Sequence, residues 1–93
     1  MYSINFTTAY RKSLKLIKRR GYDVSKLNKT IHLIASGQPL PPHYKDHPLK
    51  GNRKGERECH IDGAHDWLLT YKIDKGRLIL LLTGTGTHQD LFE

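Results

Sequence analysis

Cysteine is nearly missing from this sequence, and so is any long apolar run. Cys59 is the single cysteine among 93 residues, which excludes an internal disulfide and a cysteine-rich zinc site and fits a reducing compartment. The longest apolar stretch, residues 78–82, is far too short to span a bilayer. Residues 2–10 lack the basic start and apolar centre of a signal peptide. No membrane partner and a cytoplasmic location are therefore expected. There is no internal repeat or low-complexity tract, and the length allows one domain, residues 1–93, around one core. Acidic side chains are scarce: nine Asp and Glu stand against sixteen Lys and Arg, a formal net charge of +7. That excess points to nucleic acid, an acidic protein, or both as partners.

Apolar spacing divides what is there into two halves. Residues 3–6 alternate weakly and read as a short first strand. Beyond Thr8, Tyr10, Leu14 and Ile17 fall on one helical face, with Arg11, Lys15, Lys18 and Arg19 mostly on the others. Gly21 suits the left-handed residue that closes a helix. Asp23 or Ser25 can cap a second helix, in which Val24, Leu27, Ile31 and Ile34 repeat at spacings of three and four before Gly37. The short connection predicts an antiparallel helical hairpin. Pro39, Pro41 and Pro42 mark an extended loop, and after it the period becomes two. Arg57, Cys59 and Ile61 alternate with Glu58 and His60; Trp67, Leu69, Tyr71 and Ile73 alternate with Leu68, Thr70 and Lys72. Residues 78–83 read as a central strand. Asp74-Lys75-Gly76 predicts a hairpin turn, and residues 62–65 a wider one. The expected fold is α+β, with the helical hairpin packed on one face of a small antiparallel sheet and the other face or its edge open to substrate.

Six histidines are more than composition explains. His32 and His43 read as ordinary surface residues, whereas His47, His60 and His88 stand in different contexts. His60 lies opposite Cys59 and Ile61 on an alternating strand, His47 follows an acidic residue in a Pro-bounded loop, and His88 follows a Gly-rich turn. Strand pairing can bring these three together. Cleaving RNA without a metal requires a base for the ribose 2′-hydroxyl, an acid for the leaving 5′-oxygen, and cations for charge developing on phosphorus. An imidazole of pKa about 6.5 suits the first two tasks, and Lys45, Lys50, Arg53 and Lys54 can serve the third. Trp67 and Phe92 can stack on unpaired bases, although Trp67 on an alternating strand also suits a core.

The blocks Tyr44-Lys45-Asp46-His47-Pro48-Leu49-Lys50-Gly51, Arg57-Glu58-Cys59-His60-Ile61, Asp66-Trp67-Leu68-Leu69-Thr70-Tyr71 and Thr85-Gly86-Thr87-His88-Gln89-Asp90-Leu91-Phe92 together resemble the YafQ branch of the RelE-type toxins. The likeness covers nearly all of residues 44–92 in the correct order. It implies a small antiparallel sheet flanked by two N-terminal helices, cleavage of messenger RNA in the ribosomal A site, no cofactor, and a cognate antitoxin that holds the toxin inactive. Operator DNA would be met only through the antitoxin complex. The resemblance also implies catalytic roles for His47, His60, Asp66 and His88, the last in proton transfer to the leaving group, with Trp67 and Phe92 positioning the RNA. Which histidine is base and which is acid stays open.

Two departures stand out. Relatives commonly carry an arginine immediately before the Thr-Gly-Thr-His block, where this chain has Gly84, so either another cation substitutes, with Arg53 and Lys50 the candidates, or activity is weaker than in relatives. The stretch between His60 and Asp66 looks longer than usual and adds His65. Three other readings are available: a metal site from His60, Asp62, His65 and Asp66, a noncatalytic gyrase poison of the ParE type, and a plain RNA-binding module. The spacing disfavours the first and the histidine set disfavours the second.

Overall fold

The apolar spacing of residues 8–35 becomes two helices in the computed structural model, which describes residues 1–61 and 66–92. The first, α1 (Thr8–Arg19), begins where the Thr7 hydroxyl accepts a hydrogen bond from the Tyr10 N–H. The second, α2 (Val24–Ala35), begins where the Asp23 carboxylate accepts from the Ser25 N–H. Each contact satisfies one of the donors that a helix start leaves unpaired. Gly21 and Gly37 follow the two helices with φ of +81° and +84°, the left-handed ending expected of them. Tyr10 and Ile17 from α1 and Leu27, Ile31 and Ile34 from α2 share one core with Cys59, Leu69, Tyr71, Leu80 and Leu82.

Among the described residues five strands form one sheet, β1 (Ser3–Phe6), β2 (His47–Pro48), β3 (Arg57–His60), β4 (Leu68–Asp74) and β5 (Ile79–Gly86), in the spatial order β1-β5-β4-β3-β2, and β3, β4 and β5 face that core. From β2 to β5 the pairing is antiparallel, as expected. The expectation of a wholly antiparallel sheet is corrected at β1, which lies parallel to β5 with Ser3 opposite Ile79. Parallel neighbours need a long crossover, and most of the chain lies between these two. Alternation within residues 3–6 carries no information about the direction of a partner so distant. Helix α1 packs against β5, the strand between β1 and β4.

Three local features refine the expectation further. Strand β5 starts at Ile79 because Leu78 is exposed and left-handed at φ +55°, ending a turn in which Asp74 accepts from the Arg77 N–H at 3.1 Å. A bulge interrupts β5: Thr70 faces Gly84 while Tyr71 faces Leu82, leaving Thr83 as the extra residue. Thr83 and Gly84 consequently both lie beside Thr70, while Thr85 receives the Trp67 indole N–H on the core side. Last, a one-turn helix, α3 (His88–Phe92), follows β5; five residues are too few to display a helical period. The turn predicted over residues 62–65 lies outside the described residues.

Candidate active site

Alternation along β3 sends Cys59 into the core and His60 to the opposite face. Strand β2 pairs His47 with Glu58, which sits two residues before His60 and so shares its face. Helix α3 delivers His88 to the same place, with its ring centroid 6.1 Å from that of His60 and 6.2 Å from that of Phe92. Residues from two strands and the C-terminal helical turn thus converge.

Each histidine is held in its own way. The Nδ1 of His88 lies 2.8 Å from Asp66 Oδ1, an oxygen that also accepts from the His88 backbone N–H at 3.1 Å. A carboxylate there keeps a proton on Nδ1 and leaves Nε2 for chemistry. In His47, Nδ1 lies 3.1 Å from the Pro48 carbonyl oxygen and Nε2 lies 3.4 Å from Glu58 Oε1, so each ring nitrogen faces an acceptor. Burial pushes the pKa of His60 below the ordinary histidine value, and Lys45, His88 and His47 push the same way against the opposing Glu58 carboxylate. Glu58, almost wholly buried at 5% side-chain exposure, was not singled out from the sequence. Its place on the His60 face was the available signal.

The cations divide into two kinds. Lys50 and Lys54 are exposed at the two ends of a 3-10 turn, Gly51–Arg53. Arg53 is largely engaged: its Nε and Nη2 donate to Glu56 at 3.1 and 2.9 Å, Nη1 donates to the Leu91 carbonyl at 2.9 Å, and Nη2 also reaches Thr70 Oγ1 at 3.2 Å. The guanidinium carbon stands 4.9 Å from the Phe92 ring centroid, a cation–π contact. Arg53 holds the Glu56 carboxyl below the usual carboxylate range. Arg53 therefore braces α3 from within the fold as well as bringing charge to the site.

Trp67 requires a correction. It is 3% exposed, its Nε1–H donates to Thr85 Oγ1 at 2.9 Å, and its ring meets Tyr22 edge-on at 5.0 Å. A side chain so placed cannot stack on a base; it packs the core beneath the segment that carries Asp66. Phe92, by contrast, is 40% exposed beside His88.

Gly84 explains itself by contact. A Cβ on this residue would meet Leu91 Cδ2 at 3.0 Å and Thr70 Oγ1 at 3.1 Å, so the bare backbone lets α3 lie down on β5, with Arg53 on the same Thr70 hydroxyl. A Gly84→Arg protein is therefore expected to lose stability by about 1–3 kcal/mol, the usual cost of overpacking, and to gain no cleavage rate. Thermal denaturation and single-turnover kinetics on the same preparation check both halves.

The alternative metal set cannot be assembled from what is described, since Asp62 and His65 lie outside the described residues. Among the described residues, no three His, Cys, Asp or Glu side chains are grouped to hold an ion.

Residues 2–93 match the family described as "Bacterial toxin of type II toxin-antitoxin system, YafQ". The mRNA interferase toxin YafQ of Escherichia coli strain K12 is 42% identical over 91 residues, spanning 96% of this chain and 94% of that protein. Among solved structures, the E. coli DinJ-YafQ complex superposes with a TM-score of 0.85 at 37% identity, covering all of both chains. A metal-bound toxin from Helicobacter pylori gives 0.88 at 42% identity, over 99% of this chain and 100% of that one. By sequence along nearly its whole length and by fold alike, this chain belongs to the YafQ family of type II toxin–antitoxin toxins.

Proposed function

We propose that this chain is the toxin of a type II pair that cuts messenger RNA on the ribosome, its histidines rather than a metal ion moving the protons. The observation that carries the reading is the juxtaposition of His60 and His88, 6.1 Å apart between ring centroids, one with a depressed pKa and the other tied to a carboxylate. The family supports it, since the E. coli relative is named an mRNA interferase. His60, unprotonated at neutral pH, takes the proton of the ribose 2′-hydroxyl. The freed 2′-oxygen attacks phosphorus, the bond to the 5′-oxygen breaks, and His88 Nε2 delivers a proton to that leaving oxygen. Asp66 balances the charge on the His88 ring while both nitrogens are protonated. Lys50 and Lys54 supply positive charge to the phosphates, His47 belongs to the same acid–base set beside Glu58, and Phe92 stacks on a base. The products are a 2′,3′-cyclic phosphate and a 5′-hydroxyl.

The partners follow from the same reading. E. coli YafQ forms a complex with DinJ. A comparable antitoxin with an acidic segment would cover the basic face of this chain, its capture speeded by opposite charge. Operator DNA would be contacted through that complex. Among the described residues no helix is long and apolar enough to cross a membrane, and the cytoplasm is where the ribosomal A site is found.

The test is to incubate purified protein with ribosome-bound messenger and map the ends. Cuts bearing 5′-hydroxyls are expected, and cutting of a minimal RNA should persist under excess chelator. Loss of cutting that zinc alone restores would move the chemistry to a metal site. Intact messenger together with inhibited gyrase would replace the reading altogether.

A further inference from the structure

We propose that the Arg20–Asp90 ion pair is a positioning device for His88, tying the one-turn α3 to the end of α1 so that the proton donor stays beside His60. The inference rests on the reading of His88 as that donor. A helix of five residues does not persist by itself, because the cost of nucleation is spread over too few hydrogen bonds. The bond that joins it to the residue before it runs from the Leu91 N–H to the Thr87 carbonyl at 3.2 Å. The remaining order must come from outside contacts, and these fall at both ends.

At the start of α3, Asp90 Oδ2 accepts from the Thr87 N–H at 2.9 Å while the Asp90 N–H donates to Thr87 Oγ1 at 3.1 Å, a reciprocal cap. The same carboxylate receives both ends of the Arg20 guanidinium, Nη1 at 2.6 Å and Nη2 at 3.0 Å. Bidentate pairing of this kind fixes direction as well as distance. Arg20 is the C-cap of α1, its N–H bonded to the Leu16 carbonyl at 3.0 Å, and α1 is seated on β5. The anchor is therefore rigid. Gly86 makes the approach possible: its φ is +154°, and a Cβ there would lie 2.8 Å from Asp90 Oδ2. Arg20 and the Thr87 N–H hold the Asp90 carboxyl at about 2, so its charge is present across the physiological range. Arg53 secures the far end through the Leu91 carbonyl, and at the end adjoining His88 Arg20 acts beside Asp66, which meets the His88 N–H and ring.

A double-mutant cycle separates positioning from mere presence of charge. Arg20→Gln removes the bidentate donor. Asp90→Asn keeps an oxygen for the Thr87 N–H and loses the charge. Each single variant should slow single-turnover cleavage at saturating RNA by about 10-fold to 100-fold, the order expected when a reacting group drifts by about an ångström. The double variant should be no slower than the slower single, and Asp90→Asn should bind RNA as the parent does. Arg20→Lys, the milder variant, should recover part of the rate. Multiplicative losses in the double variant, or unchanged rates in both singles, would overturn the proposal. Hydrogen exchange at the Leu91 amide gives a readout that needs no cleavage: it should quicken in either single variant and no further in the double, and unchanged exchange also overturns the tether. A parent protein that fails to cut RNA would count against the proposed function alone, because the exchange result still decides the tether.

Discussion

Replacing His88 by alanine should slow RNA cleavage by about 100-fold to 10,000-fold, the range that general acid–base catalysis contributes, and should leave RNA affinity and thermal stability close to those of the parent. The side chain is 58% exposed, so its removal opens no cavity. His60→Ala should show a loss of the same order, and the two should differ in their pH profiles. Burial together with the charges of Lys45, His88 and His47 makes protonation of His60 harder. Its base form therefore persists to lower pH than an ordinary imidazole, and kcat/KM should rise from acid pH through a midpoint below about 6.5. That acid limb should vanish in His60→Ala. Single-turnover rates across the pH range settle the matter: a His88→Ala protein within twofold of the parent, or an acid limb that survives loss of His60, would remove these side chains from the chemistry.

A messenger with one 2′-deoxyribose at the scissile position should yield no product at that bond, while neighbouring ribonucleotides remain open to cutting. The nucleophile in the proposed reaction is the 2′-oxygen of the substrate, and no positioning by the protein can replace it. Binding should be unaffected, because the cations that grip the strand act on phosphates. Matched RNA and singly deoxy-substituted messengers, bound to ribosomes and resolved by end mapping, give the comparison. Cleavage at the deoxy position with a free 3′-hydroxyl would require water as the nucleophile, and His60 would then need another task.

The features that the sequence displays openly are those repeated within one element. Helices α1 and α2, the inward residues of β3 and β4, and the placement of His60 opposite Cys59 all follow from a period of 3.6 or 2. What was hidden depends on partners far along the chain. The direction of β1 is set by β5, the bulge at Thr83 by its match to Thr70, and the burial of Trp67 by a Thr85 hydroxyl and the Tyr22 ring. Arg53 looked like a free phosphate contact because nothing within its own turn reveals Leu91 or Phe92. Glu58 was similarly concealed, since its significance lies in facing His47 across a two-residue strand. Local context brought His47 and His88 to notice and the family likeness added Asp66, while the position of Gly84 under Leu91 accounts for a departure that likeness alone left unexplained.

The parallel pairing of β1 with β5 bears on how the molecule comes apart. Ser3 is zipped to Ile79, so the contact encloses most of the chain, and closing so large a loop costs entropy before later contacts repay it. Strand β5 also carries β4 on its other edge and α1 on its face, and α3 leads directly from it. Loss of β5 therefore releases α1, β4 and α3 together. Denaturation should accordingly be all-or-none, with far-ultraviolet ellipticity, tryptophan fluorescence and cleavage activity collapsing at one common midpoint rather than in succession.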